Sequence, residues 1–296
     1  MTEVDEAATS QTATPTLAIT GATGRVGAMV ARDLRAAGPA PRLLVRDASR
    51  APAWAQDVAV AGYGDGRAAR RALAGIDLLL MVSATESEHR LEEHRTFIGA
   101  AASAGVRHVV YTSFLGASPQ ATFTLSRTHW HTEAALRESG MAFTFLRDSF
   151  YTDFLIEVSA DGAITGPAGE GRVATVARSD VAAAAAAVLR DLAAGETRHE
   201  GATYNLTGPQ ALTMAEAARI ITEATGRPTV YHRETVEEAY ASRAHYGAPR
   251  WEVDAWVSTY TAIASGELST VTDDVARLTG RPPLSLADLL RSGPTA

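Results

Sequence analysis

The stretch LAITGATGRVGAMVARDL at residues 17–34 decides the fold. A short apolar run leads into a turn with glycines at positions 21, 24 and 27, and a helical pattern follows. Gly21 permits a tight turn, Gly24 lets the backbone approach a pyrophosphate, and Gly27 lets the helix pack closely on the strand. Because the first N–H groups of such a helix face an anion, the stretch predicts a nucleotide site, with a purely structural turn as the alternative.

Short apolar runs alternate with helical stretches between Leu17 and Leu146. This alternation predicts right-handed βαβ units and therefore an α/β fold with a Rossmann-type, doubly wound parallel sheet. The predicted helices of this part lie at 25–37, 67–74, 88–104 and 129–139.

The second half has a more helical pattern. It predicts a helix capped by Ser179, a strand at about 203–207 that returns to the main sheet, and a helix opened by a Thr213/Glu216 capping box. We therefore expect a disordered tail at 1–15, a dinucleotide-binding domain at 16–153 and a smaller, mostly helical substrate lobe at 154–296.

The predicted cofactor contacts begin with the turn and continue along the strand ends. Arg46 and Arg50 follow the second apolar run, where arginine favours a 2′-phosphate and an acid favours the free ribose hydroxyl. Asp47 lies beside them and is the signal for NAD(H). Because two arginines stand against this one acid, the sequence favours NADP(H) over NAD(H). Asp65 either contacts the adenine or caps the next helix. The full predicted set is Gly21, Thr23, Gly24, Arg25, Val26, Gly27, Arg46, Arg50, Asp65, Ser83 and Thr112.

Composition excludes several kinds of chemistry. The 296 residues contain no cysteine and no lysine, so all 27 basic residues are arginines. Without cysteine, the chain forms no disulfides and has no thiol nucleophile. Without lysine, it has no lysine Schiff base and lacks the lysine-containing phosphate loop of nucleoside triphosphatases. The net charge of −7 argues against nucleic acid or an anionic membrane as a partner. Without a signal-peptide pattern at the start, we expect a cytoplasmic protein, with a homodimer left open.

The segment HWHTE places His129 and Glu133 four residues apart, on one face of a helix. This face either orients the nicotinamide ribose or relays a proton through His129, or it is a surface ion pair. His129 and His131 diverge on a helix, so we expect no metal site. Ser113 and Tyr151 are the other weak catalytic candidates.

Several motifs together resemble the NmrA-like atypical short-chain dehydrogenases, and among them the NADPH-dependent type 2 quinone oxidoreductases. These motifs are ITGATGRVG, YGD, YTS, LRDSFY and RSDVAAAAAAVL, and the resemblance extends over about residues 17–292. It implies a Rossmann-type sheet, a small C-terminal substrate lobe and NADPH as the ligand. At Asp148 the sequence departs from the family, which usually has a neutral residue there.

Ordinary short-chain dehydrogenases pair a tyrosine with a lysine that lowers the phenol pKa. This chain has no lysine, and a quinone needs no such pair, since its product anion is delocalised and water can protonate it. The sequence therefore predicts NADPH-dependent hydride transfer to a quinone or a similar activated acceptor. The predicted pocket residues are Phe114, Asp148, Phe150 and Tyr151. The alternative is a non-catalytic NAD(P)-binding redox sensor of the NmrA type.

Overall fold

The computed structural model describes residues 16–38 and 40–292, so the predicted tail at 1–15 lies outside the described residues. Strands and helices alternate along the chain as the sequence predicts. The strands are β1 Leu17–Thr20, β2 Arg42–Val45, β3 Val58–Val60, β4 Leu78–Met81, β5 His108–Phe114, β6 Ala142–Asp148, β7 Ala163–Gly166, β8 Thr203–Leu206 and β9 Val230–Arg233. The helices are α1 Arg25–Ala37, α2 Gly66–Ala72, α3 Arg90–Ala104, α4 Thr124–Glu138, α5 Thr152–Val158, α6 Arg178–Ala193, α7 Met214–Thr225, α8 Val236–Arg243, α9 Arg250–Ala264, α10 Asp274–Thr279 and α11 Leu286–Ser292.

Seven strands form one parallel sheet in the order β3-β2-β1-β4-β5-β6-β8. The predicted Rossmann-type α/β fold is confirmed. The strand order reverses between β1 and β4, and open parallel sheets bind ligands in the crevice outside the carboxyl ends of the strands at such a point. The ends of β1, β2, β4 and β6 are therefore the place to look for a site.

Two hydrophobic layers cover the sheet. One layer contains α1 and α6, and the other contains α2, α3 and α4. The alanines at 184–186 of α6 are fully buried, and their small side chains let this helix lie close against α1. By packing, α6 and β8 therefore belong with the sheet, although both follow residue 153.

α10 packs on α6 and β8, and the other remaining elements form a lobe over the carboxyl edge of the sheet. Its core includes side chains of α7 and α9 together with Phe114 and Leu115 at the end of β5. A small parallel sheet of β7 and β9 completes it. Within the described residues, none of the helices combines the length and the apolar character needed to cross a membrane.

Helix ends were predicted with mixed success. The capping box of Thr213 and Glu216 on α7 is confirmed. The prediction that Ser179 caps α6 is wrong, because Ala177 is the N-cap residue and has no side-chain oxygen. Instead, the Asp153 carboxylate accepts a hydrogen bond from the Arg178 backbone N–H at 2.9 Å. The end of this helix is thus satisfied by a residue distant in sequence.

Candidate active site

The glycine turn is shaped for a phosphate. Gly21 has a φ of +64°, and its carbonyl accepts a 2.8 Å hydrogen bond from the Gly24 N–H. A Cβ on Gly27 would lie 2.4 Å from the same carbonyl oxygen. Gly24 caps α1 without a side-chain hydrogen bond, and the first turn of the helix carries no acid. The N-terminal amides of α1 are therefore left to an anion, which fits the pyrophosphate of a dinucleotide.

A cleft of about 740 Å³ opens in front of this turn. Its walls come from the turn, the end of β2, the loop after β3 and the loop after β4. Nine of the predicted cofactor residues line it: Gly21, Thr23, Gly24, Arg25, Val26, Gly27, Arg46, Arg50 and Ser83.

The two arginines after β2 stand in the cleft wall, and the neighbouring acid does not. Arg46 and Arg50 are both exposed there. The Asp47 carboxylate accepts hydrogen bonds from the Ser49 hydroxyl at 2.8 Å and the Ser49 N–H at 2.9 Å, and these bonds lower the pKa of Asp47. This part of the cleft therefore presents two guanidinium groups, while the acid is engaged in its own turn.

The other two predicted cofactor residues do not line the cleft. The Asp65 carboxylate caps α2 by accepting from the Ala68 N–H at 2.9 Å, so the capping alternative describes its position. Thr112 is buried, and its hydroxyl accepts a 2.8 Å hydrogen bond from the Ser83 N–H. Thr112 thereby fixes the loop after β4 but does not line the cleft.

A second cavity of about 610 Å³ adjoins the first and is called the acceptor pocket below. Tyr151 and Arg178 line both cavities, as do residues 83–86. Phe114, Phe123 and Phe150 form one wall, with ring centroids 4.9 to 5.1 Å apart. The predicted pocket residues Phe114, Asp148, Phe150 and Tyr151 all line this cavity.

Asp148 and Tyr151 form a buried pair at the junction of the cavities. The Tyr151 hydroxyl donates to the Asp148 carboxylate at 2.5 Å, and Asp148 is only 5% exposed. Burial raises the pKa of Asp148 to about 7, against the lowering effect of the Tyr151 hydrogen bond. Burial and the neighbouring Asp148 hold the pKa of Tyr151 well above 10, so its hydroxyl stays protonated.

His129 is buried beside the same pocket, and the predicted surface ion pair with Glu133 is wrong. Burial, followed by the charge of Arg90, holds the pKa of His129 well below its usual value. The neutral ring accepts from Arg90 at Nε2, so its proton lies on Nδ1 and is donated to the Tyr111 hydroxyl at 2.9 Å. Both ring nitrogens are engaged, which leaves His129 poorly suited to relay a proton.

Glu133 faces the interior, where it holds α4 against β5 and β6. Its carboxylate accepts from the Ser113 hydroxyl at 2.6 Å, from Arg147 at 2.8 and 2.6 Å, and from Arg137 at 3.1 Å. Ser113 and Glu133 are fully buried, and neither lines the cofactor cleft or the acceptor pocket. This geometry favours a structural role over the catalytic one predicted for them.

Most residues of the acceptor pocket were not predicted from the sequence, and three of them matter most for its shape and charge. Phe123 precedes α4, Trp256 lies on α9, and Arg90 opens α3. A lone arginine at a helix start has no distinctive sequence signal, because only tertiary packing brings it under the pocket. Within residues 16–38 and 40–292, no group of three or more histidines and acids could hold a metal ion.

Comparisons with known proteins agree with this geometry. A family model described as NAD(P)H-binding matches residues 21–192. Quinone oxidoreductase 2 of Escherichia coli is 34% identical over 92% of this chain and 96% of its own length. An NAD(P)H azoreductase of Xenophilus azovorans is 32% identical over 93% of this chain and 96% of its own. The crystal structure of an E. coli NADPH-dependent quinone oxidoreductase in complex with NADPH superposes with a TM-score of 0.86, at 32% identity, and covers 93% of this chain and 99% of that one.

The chain therefore belongs to the NAD(P)H-binding, NmrA-like family. Within it, the chain is an NAD(P)H-dependent oxidoreductase, so the similarities favour the enzyme over the redox sensor.

Proposed function

We propose that this protein transfers hydride from NADPH to a quinone or a similarly activated flat acceptor. The observation that carries the proposal is the shared wall of the two cavities at Tyr151, Arg178 and residues 83–86. A dinucleotide whose pyrophosphate lies on α1 extends its nicotinamide toward this junction, which is the switch point of the sheet. An acceptor in the second cavity then lies against the nicotinamide.

Separate groups of residues bind the dinucleotide and the acceptor. The amides of α1 and the glycine turn hold the pyrophosphate, and Arg46 and Arg50 bind the 2′-phosphate. NADPH, when bound, supplies the hydride. The three phenylalanines hold a flat ring by stacking and exclude water from it. No tyrosine is activated by a lysine, so the reaction suits acceptors whose reduced form needs no strong acid at the moment of hydride transfer.

The test is NADPH consumption by the purified protein with a panel of quinones, compared with NADH at equal concentration. We expect turnover with at least one quinone and a preference for NADPH of about tenfold or more. Consumption no faster than the protein-free blank with every acceptor would reject the proposal. Equal rates with both dinucleotides would reject only the cofactor preference.

A further inference from the structure

Arg90 is a buried cation in the wall of the acceptor pocket. It is the first residue of α3 and is only 2% exposed, yet it lines the cavity. An unpaired guanidinium in the interior is costly, because it gives up its hydration without a compensating charge. The protein must therefore gain something from keeping a cation at this position.

The described residues leave this cation incompletely satisfied. Its Nη2 donates to His129 Nε2, which is a neutral acceptor, the Tyr111 hydroxyl is a second neutral partner, and its Nε is buried without a hydrogen-bond partner. Among the residues that the structure describes, no carboxylate lies within ion-pairing distance of Arg90. Glu86 and Asp148 line the same pocket; burial raises the pKa values of both, and the charge of Arg90 offsets only part of this rise, without a direct contact.

We infer that Arg90 donates a hydrogen bond to an oxygen of the acceptor and stabilises the negative charge that develops there on reduction. The inference rests on the proposed function and deepens it, since it names the acceptor class: conjugated carbonyl compounds whose two-electron reduction gives an oxyanion. The Phe114, Phe123 and Phe150 rings line the same cavity and hold the flat part of such a molecule.

The acceptor takes up a hydride, its conjugated carbonyl π bond is broken, and the electron pair moves onto the oxygen that faces Arg90. The dinucleotide leaves in its oxidised form, and the oxyanion later takes a proton from water to give the neutral product. Arg90 itself keeps all its protons, because a guanidinium is not deprotonated in proteins. Its contribution is a fixed positive charge, whose attraction for the acceptor oxygen grows as the oxyanion forms.

A phenol that reports its own ionisation tests this without turnover. 4-Nitrophenol is titrated into the protein saturated with NADP⁺, and the visible absorbance of the bound phenolate is measured at fixed pH. We compare the wild type with Arg90→Gln, with Arg90→Lys, which keeps a cation, and with Arg95→Gln, an exposed position on the same helix. Far-ultraviolet circular dichroism and thermal unfolding establish that each variant is folded.

The phenolate-to-phenol ratio in the bound state should fall about tenfold or more in Arg90→Gln. Arg90→Lys should keep most of the ratio, and Arg95→Gln all of it. Loss of Arg90 also makes ionisation of Asp148 harder, and a neutral Asp148 repels the bound phenolate less. This side effect alone would raise the phenolate-to-phenol ratio, so a fall in the ratio is assigned to the missing charge of Arg90. In quinone assays, kcat of Arg90→Gln should fall roughly 100-fold with the Kd for NADPH unchanged.

Each other outcome has a defined meaning. An equal ratio in the wild type and Arg90→Gln, or no saturable binding to the wild type, overturns the inference and leaves Arg90 a structural support for His129. An Arg90-dependent phenolate without quinone turnover keeps the oxyanion site and rejects the proposed function. Quinone turnover that is unchanged in Arg90→Gln supports the proposed function and rejects the oxyanion site at Arg90.

Discussion

The cofactor cleft and the acceptor pocket are built by opposite means. The cleft uses backbone amides, glycines and two exposed arginines within 30 residues of one turn. The pocket uses buried side chains, some of them charged, that α3, α4, β6 and α9 bring together from distant parts of the chain. The cleft therefore depends on local backbone geometry and exposed charge, whereas the pocket depends on desolvation. Four predictions test this difference.

The largest expected effect on dinucleotide binding is that of Gly27→Ala. The new Cβ would lie 2.4 Å from the Gly21 carbonyl oxygen, so the turn has to open. We expect NADPH binding, measured by calorimetry, to weaken by roughly 100-fold. Gly38→Ala at the end of the same helix is the matched control, because its φ is 176° and a Cβ there meets nothing within 4 Å. Equal affinities of the two variants would show that the close approach at Gly27 is dispensable.

The next effect concerns charge at the cleft. Replacing both Arg46 and Arg50 by glutamine should weaken NADPH binding about 10- to 100-fold, since the charge-assisted contacts of these two exposed side chains to a phosphate contribute about 1.4 to 2.8 kcal/mol in total. NADH binding should change by less than about threefold. Replacing Arg219 and Arg227, two exposed arginines on and just after α7, by glutamine controls for the equal change in net charge. A parallel loss for both dinucleotides would contradict a 2′-phosphate contact.

The third prediction concerns desolvation at Asp148. Its pKa is about 7 in the native state and about 4 in the unfolded state, so the native state binds more protons between these values. Stability should therefore fall as pH rises from 4 through 7. Asp148→Asn should remove this dependence and be more stable than the wild type at pH 8 by up to about 4 kcal/mol, as measured by urea unfolding. An identical pH dependence of both proteins would mean that Asp148 is not desolvated as described.

The smallest effect has the opposite sign and arises at His94. Burial, and then the charge of Arg90, lowers the pKa of His94 to about 3, so below pH 6.5 the unfolded state binds the extra proton. Stability should fall by up to about 2 kcal/mol between pH 6.5 and 5, and His94→Gln should reduce that loss. The exposed His245→Gln is the control. Equal acid sensitivity of both variants would contradict a neutral, buried His94.

The cleft could be predicted from the sequence to a large extent. The glycine spacing, the arginines after β2 and the alternation of apolar runs with helices all act over short stretches, so their geometry follows from local rules. Only Asp65 and Thr112 of the predicted set do not line the cleft, since their side chains are engaged in a helix cap and a loop contact.

The pocket shows the limit of such reasoning. A spacing of four residues correctly put His129 and Glu133 on one helix face, but nothing local shows whether that face points to solvent or to the interior. In the fold they take separate partners: His129 binds Arg90 and Tyr111, while Glu133 binds Ser113 and Arg147.

The sequence by itself determined the class of fold, the dinucleotide turn and the absence of any tyrosine–lysine pair. Only the tertiary structure decided which charged groups are buried. Burial changes pKa values and leaves Arg90 without a carboxylate partner, and it depends on contacts between residues far apart in the chain, whose packing no short stretch specifies.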